Sequence, residues 1–199
     1  GEGAAWVALR VPDGAIAAYA NGMRVREFPL DDPESCLYSP TVISLAVERG
    51  YYDPAAGRPF SFADAYDAPT TQSRRYTATR VWSIFRRAAP SLELSADFHR
   101  GVPDAEPYPL WITPDRKLSV VDVMALMRDH YEGTPYDMTQ GLDAGPFGTP
   151  NRWRPMTWEV DGTTYSWERP ISTQQTGFSF VSQSRSWLPD PIGGVYWYG

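Results

Sequence analysis

Strand-like and helix-like segments are segregated along this sequence of 199 residues, and their order constrains the fold more than any other feature. Short apolar runs of strand length lie toward both ends, and amphipathic helical patterns lie between them. Strands that alternated with helices would instead indicate βαβ units and a parallel sheet. The order β, then α, then β predicts an α+β fold.

Two apolar runs near the start of the chain, residues 6–11 and 15–20, have the length of strands. A Pro-Asp-Gly sequence at residues 12–14 separates them, and these residue types favour a tight turn. The pattern predicts a β-hairpin that ends at Asn21. Because both runs are apolar on both faces, we expect this hairpin to lie in a sheet that is covered on each side.

Helical signals follow. The dipeptide Ser39-Pro40 has the residue types of an N-cap and a first helical position, and it predicts a helix to about residue 49. Several prolines in residues 51–75 predict an extended loop with one helical turn at residues 62–66. A second helix is predicted at residues 77–88, where apolar residues recur on one face.

The third predicted helix has the clearest start. Ser119 and Asp122 form a capping-box pair, and the apolar stripe that follows them runs to Tyr131. Gly133 then ends the helix. This places His130 in the last helical turn, where the helix dipole favours an imidazole and no catalytic role is needed.

Strand-like segments return in the last part of the chain. Residues 156–160 and 163–167 are joined by Asp161-Gly162, which is a strong signal for a two-residue hairpin turn. Residues 177–184 and 194–198 have the apolar content of two further strands.

Composition and charge exclude several classes of function. The 18 Lys and Arg residues face 24 Asp and Glu residues, a formal net charge of −6, so no nucleic-acid-binding surface is expected. No apolar run approaches the roughly 18–20 residues that cross a bilayer, so no membrane span is predicted. One cysteine and two histidines offer few metal ligands, so metal dependence is only a minor hypothesis.

Cys36, the single cysteine, has two interpretations. With His99 or His130 as a base it would form a nucleophilic thiolate pair. A lone cysteine without a flanking catalytic signature is more often a small, semi-buried residue, here placed before a helix. The residues favour the second interpretation.

Four segments have specific residue sequences that the overall composition does not account for, namely residues 10–21, 132–141, 145–150 and 186–195. Taken together and in this order, they resemble the cysteine-type dipeptidase family of N-terminal-nucleophile hydrolases, which includes bacterial dipeptidase A and the eukaryotic secernins. The resemblance covers nearly the whole chain. Family members are considerably longer, so residues 1–199 resemble one incomplete section of a larger catalytic domain.

The resemblance implies a four-layer αββα sandwich, which is one form of the α+β class. In this family a cysteine becomes the first residue of the mature chain, and its own α-amine can act as the base. This sequence starts with Gly1, so the resemblance implies that the nucleophile is missing and that the chain alone is inactive. Cys36 does not replace it, because an internal cysteine carries no free amine.

The resemblance also gives three residues candidate roles. Asn21 resembles an asparagine whose side-chain N–H stabilises an oxyanion, with an ordinary turn asparagine as the alternative. Arg169 resembles an arginine on a core strand that favours the charged thiolate. Asp137 would meet the free amine of a dipeptide, with a carboxylate that stabilises its own loop as the alternative.

The implied function is hydrolysis of unblocked dipeptides through a thioester, with no metal and no organic cofactor. Dipeptides are the expected partners, a homo-oligomer is left open, and a cytoplasmic location is expected from the single cysteine and the acidic balance. One alternative is a non-catalytic, secernin-like interaction protein on the same scaffold. Another is a carbohydrate-binding module, which predicts a row of exposed tryptophans.

Overall fold

The computed structural model describes residues 4–68, 70–152 and 157–199, and it divides into two compact units. The first unit ends at Asp115, and the second runs from Arg116 to Gly199. Both units contain helix and strand, which agrees with the predicted α+β class. The four-layer sandwich and the assignment of residues 1–199 to one catalytic domain stay predictions.

Two small antiparallel sheets form in the first unit. Strand β1 (Val7–Leu9) pairs with β3 (Cys36–Tyr38), and β2 (Ile16–Ala17) pairs with β4 (Trp111–Ile112). The predicted hairpin between the first two apolar runs is therefore wrong. The chain does turn at Gly14, where φ is +78°, but each run pairs with a distant strand.

Burial across the pairs explains this choice of partners. Pairing with β3 places Leu9 opposite Cys36, which is only 3% exposed, and Arg10 N–H extends the ladder to the Ser35 carbonyl at 2.8 Å. The other face stays open, since Leu37 is 58% exposed, so the expected cover on each side is also wrong. Cross-strand packing, rather than the local turn, selects the partner strand.

Four helices complete the first unit: α1 (Val42–Glu48), α2 (Phe62–Tyr66), α3 (Thr71–Ala88) and α4 (Asp97–Arg100). Helix α2 is the helical turn predicted at residues 62–66. Helix α3 begins before the predicted start at residue 77. The prediction misses the first residues because they are mostly polar and carry no apolar periodicity.

The start of α1 differs from the predicted cap at Ser39-Pro40. Thr41 occupies the N-cap position. The Ser39 hydroxyl instead accepts a hydrogen bond from Trp6 N–H at 3.2 Å, so this side chain holds the segment that leads into β1. A residue type that favours caps is equally suited to bind any nearby backbone N–H.

The core of the first unit collects on one face of α3. Val81, Phe85 and Ala88 are buried, and Ile84 on the same predicted face is half-buried. Phe85 is completely buried, and its truncation to alanine is expected to cost about 3–5 kcal/mol. This packing fixes α3 in place, and α3 in turn holds the segment that contains Asn21.

The second unit opens with α5 (Val120–Met127), and its capping box is confirmed. The Ser119 hydroxyl accepts from Asp122 N–H at 3.2 Å, and the Asp122 carboxylate accepts from Ser119 N–H at 2.7 Å. Arg116 adds two hydrogen bonds to the same carboxylate, at 3.0 and 2.6 Å. Together these contacts fix the first residue of the helix.

The predicted end of α5 lies too far along the chain. The helix ends at Met127, and Tyr131 follows it with φ at +66° and its side chain fully buried. The Tyr131 hydroxyl donates to the Arg169 carbonyl at 2.6 Å, a contact that the chain reaches by leaving the helix. The predicted apolar stripe to Tyr131 is therefore wrong, and so is the place of His130 in the last helical turn.

Two hairpin-like strand pairs complete the second unit. Strands β5 (Thr157–Val160) and β6 (Thr163–Ser166) are antiparallel and joined through Asp161-Gly162, as predicted; Met156 lies outside the described residues. Both turn residues have positive φ, +50° and +75°, which suits this turn type. Strands β7 (Phe180–Ser184) and β8 (Gly194–Tyr198) are also antiparallel, as expected for the end of the chain. Among the described residues, no helix has the length and apolar content to cross a membrane.

Candidate functional site

Asn21 lies in the first unit, four residues after β2, with its backbone in the left-handed region at φ +62°. Asparagine adopts this conformation more readily than most residues. Its side-chain oxygen accepts a hydrogen bond from Arg80 Nη2 at 2.9 Å. Because arginine only donates, this contact fixes which end of the amide faces Arg80. The Asn21 amide nitrogen is thus turned away from Arg80, and the side chain is exposed.

Helix α3 holds Asn21 and its neighbours. The Arg80 guanidinium is itself fixed, since its Nε donates to the Tyr76 carbonyl at 2.9 Å. Gly22 lies so close to the helix that a Cβ there would come within 3.1 Å of the Thr77 side chain. Met23 N–H donates to the Asp67 carboxylate at 2.7 Å. The segment is therefore held from both sides at the residues that follow Asn21.

Arg24 ties the same segment to a distant part of the first unit. Its guanidinium donates to the carbonyls of Ala18 at 2.6 Å, Leu110 at 3.2 Å and Tyr108 at 3.1 Å, and also to the Pro109 carbonyl. Burial lowers the pKa of Arg24 to about 10, which leaves it charged at neutral pH. Four of its five N–H donors are thus engaged by backbone carbonyls, which gives this side chain a positioning role.

Asp137 lies in the second unit within a tight turn. One carboxylate oxygen accepts from Gly133 N–H at 3.0 Å, and the other accepts from the Thr139 N–H at 2.9 Å and hydroxyl at 2.6 Å. Burial alone would raise the pKa of Asp137, but these hydrogen bonds outweigh it and hold the pKa below its ordinary value. Both oxygens are engaged by the turn itself, and a cleft of about 340 Å³ lies beside it.

Arg169 also lies in the second unit, but not on a strand. It follows β6 in an irregular segment, and its side chain is exposed, so its predicted place on a core strand is wrong. The chain is held there through its backbone, because the Arg169 carbonyl accepts the Tyr131 hydroxyl. Arg169 and Asp137 are thus found in one unit, and Asn21 in the other.

Cys36 is on strand β3 and its thiol is buried, rather than semi-buried before a helix. Burial raises the pKa of this thiol, and the nearby Asp32 carboxylate raises it further. A thiolate is the reactive form of cysteine, so both effects oppose nucleophilic chemistry at neutral pH. The environment of Cys36 suits a structural residue.

His99 is 2% exposed and packs 5.0 Å from the Trp82 ring. Its Nδ1 lies 2.8 Å from the Tyr108 hydroxyl, which donates its single proton to the Ser95 carbonyl at 2.8 Å. The Nδ1 nitrogen must therefore donate to Tyr108. Burial lowers the pKa of His99 to about 4, and the charges of Arg75 and Arg100 act in the same direction. His99 is a neutral core residue.

His130 lies beyond the end of α5, and its ring nitrogen is 3.2 Å from the Glu132 carboxylate, which also accepts from His130 N–H at 2.8 Å.

Among residues 4–68, 70–152 and 157–199, no group of three or more His, Cys, Asp or Glu side chains is arranged to hold a metal ion. Of the described tryptophans, only Trp6 and Trp187 are exposed, one in each unit, which gives no row for a carbohydrate.

Sequence reasoning missed the arginines that organise the Asn21 segment, Arg24 and Arg80. Arg24 binds carbonyls more than eighty positions later in the chain, and Arg80 binds Asn21 from 59 positions away. No local pattern marks such contacts, because one sequence does not show which distant segments meet.

Comparison with known proteins now decides the family. The sequence model described as Peptidase family C69 matches residues 1–199. This chain belongs to Peptidase family C69. The resemblance that the four segments indicated is thereby confirmed at the level of the family.

The family C69 chain is similar to several curated proteins. It is 33% identical over 195 residues to a probable dipeptidase of Salmonella dublin, covering 98% of this chain and 39% of that protein. It is 28% identical to a probable dipeptidase of Latilactobacillus sakei, covering 98% and 35%, and 25% identical to dipeptidase A of Lactobacillus helveticus, covering 96% and 35%. The chain thus spans less than two fifths of the length of these relatives.

Proposed function

We propose that the whole protein containing this chain is a cysteine-type dipeptidase that hydrolyses unblocked dipeptides. The observation that carries the proposal is the match of family C69 along residues 1–199, together with relatives named dipeptidase that align with 96–98% of the chain. Cys36 is buried and internal, so the proposed nucleophile is an N-terminal cysteine outside this chain.

The proposed reaction has two steps. The cysteine thiolate attacks the carbonyl carbon of the peptide bond, and its α-amine accepts the thiol proton. The tetrahedral intermediate collapses to a thioester, the C–N bond breaks, and the ammonium returns the proton to the leaving amine. Water then attacks the thioester, which releases the first amino acid and restores the thiol.

Asn21 is proposed to donate to the oxyanion of this intermediate. The contact from Arg80 supports the role, because it holds the Asn21 oxygen and leaves the two N–H groups of the amide directed elsewhere. A donor that is fixed before the reaction needs no reorganisation when charge develops.

Arg169 is proposed to add positive charge near the thiolate. Its side chain is exposed, although it does not lie on a strand as expected, and the Tyr131 hydroxyl anchors its backbone. The amine-binding role of Asp137 stays a prediction. The three hydrogen bonds within its turn favour the alternative, a carboxylate that stabilises the loop.

The test begins with the full reading frame. The expressed protein is processed, its first residue is identified by mass spectrometry, and hydrolysis of unblocked dipeptides is measured. We expect an N-terminal cysteine, turnover of dipeptides, and no turnover by the variants with serine or alanine at that position. A mature protein without that cysteine and without dipeptide turnover would contradict the proposal and favour the non-catalytic, secernin-like alternative. A cytoplasmic location is part of the proposal and is tested by cell fractionation.

A further inference from the structure

A small cavity in the first unit lies between α3 and the segment that follows Asn21. We call it the arginine cavity; its walls include Met23, Arg24, Arg26, Arg74, Thr77 and Phe98. Its volume is about 70 Å³, several times the roughly 10–15 Å³ that one buried water requires. A carboxylate group therefore fits.

The charge on the walls is positive. Three arginines face one acidic residue, Asp64, whose carboxylate lies 3.9 Å from Arg26 Nη2. Arg24 is occupied by backbone carbonyls, as described above, and forms a fixed wall. Arg26 and Arg74 are the two other arginines that line the cavity.

Arg74 points most directly to a missing partner. Its guanidinium stacks on the Phe98 ring at 4.8 Å, which fixes the plane of the group. Its Nε is buried, and no described residue accepts a hydrogen bond from it. A buried N–H of a charged group is costly when it has no acceptor, so an anion bound beside the Arg74 guanidinium would offset part of that cost.

The cavity is also close to the proposed oxyanion donor. Met23, on its wall, is two residues after Asn21, so their Cα atoms are at most about 7 Å apart. Thr77 both contacts Gly22 and lines the cavity. In a dipeptide, three bonds separate the scissile carbonyl carbon from the terminal carboxylate carbon, a distance below about 4.3 Å. Only a carboxylate site next to the oxyanion donor can serve such a short substrate.

We propose that the arginine cavity binds the C-terminal carboxylate of the dipeptide, with Arg74 as the residue that donates to it. The inference rests on the proposed dipeptidase function and adds the residue that requires a free C-terminus. Arg26 contributes a second positive charge, and Phe98 keeps the Arg74 guanidinium in position. The arrangement restricts the enzyme to short substrates, because a longer peptide has an uncharged amide where the carboxylate should lie.

The experiment compares alanyl-alanine with alanyl-alanine amide as substrates of the full-length protein, in the wild type and in Arg74→Gln. We expect the wild type to prefer the free carboxylate. The variant should lose about 10–100-fold in kcat/KM for the dipeptide, mainly through KM, and little for the amide. Arg74→Lys, which keeps the positive charge, should retain part of the preference.

The matched control is Arg86→Gln on the same helix. Arg86 also stacks on an aromatic ring, that of Trp82 at 5.2 Å, and among the described residues its buried Nε has no acceptor, but it is not on the cavity wall. This control should keep the preference for the free carboxylate. Equal losses for both substrates in Arg74→Gln, or a wild type that cleaves both equally well, would overturn the inference while dipeptidase activity stands. A wild type that cleaves neither would overturn the proposed function and the inference with it.

Discussion

Acidification should destabilise this protein through His99. The ordinary pKa of histidine is 6.5, and burial lowers that of His99 to about 4. Between these two values the unfolded chain binds a proton that the folded chain does not, so stability is complete above pH 6.5 and falls as the pH drops toward 4. From pH 7 to pH 5, the two pKa values give a loss of about 2 kcal/mol in the free energy of unfolding.

The assay is urea unfolding of the full-length protein at pH 7 and pH 5, followed by tryptophan fluorescence. His99→Gln retains a donor for the Tyr108 hydroxyl and does not titrate, so its loss over this range should be about 2 kcal/mol smaller than that of the wild type. The control His130→Gln removes the other histidine of the chain, whose ring lies beside Glu132, and should keep the wild-type loss.

Equal pH dependence in the wild type and His99→Gln would refute this reasoning. If His99→Gln fails to fold, an NMR titration of the His99 ring in the wild type tests the same reasoning. Protonation of that ring near pH 6.5 would show that the folded environment does not exclude the charge.

Three further outcomes are expected in the full-length protein. Asn21→Gly, which tolerates the φ of +62°, should lower kcat for a dipeptide by about 10²–10³-fold with little change in KM, and unchanged turnover would remove the oxyanion role. Asp137→Asn should lower the free energy of unfolding by about 1–2 kcal/mol and leave KM unaltered, because its oxygens serve the turn; a raised KM at unchanged stability would restore the amine-binding hypothesis. Cys36 should react with iodoacetamide at pH 7.5 only after unfolding, and rapid labelling of the native protein, located by peptide mapping, would contradict its burial.

Features that a few neighbouring residues determine could be read from the sequence. The capping box of Ser119 and Asp122 and the hairpin turn at Asp161-Gly162 both form as predicted, because each depends only on residues a few positions apart in the sequence. The resemblance led to the correct family for a different reason, since it depends on the order of specific segments and not on folding rules.

Features that depend on distant partners could not be read in this way. Ser39 has the residue type of a cap, yet its hydroxyl binds Trp6 N–H, and the apolar run at β1 pairs with β3 instead of its neighbour. The chain leaves α5 before it reaches Tyr131, whose hydroxyl donates to the distant Arg169 carbonyl. For the candidate site, the sequence indicated Asn21, but the arginines around it are recognisable only once α3 lies beside that segment.

The pairing of β2 with β4 has a consequence for synthesis on the ribosome. Arg24 binds the Leu110 carbonyl across 86 positions, and β4 follows directly after it. At a translation rate of about 5–20 residues per second, the early segment waits roughly 4–17 s before its partners leave the exit tunnel. During that interval the edge of β2 lacks its partner strand, and an unpaired strand edge is a place where another chain can pair.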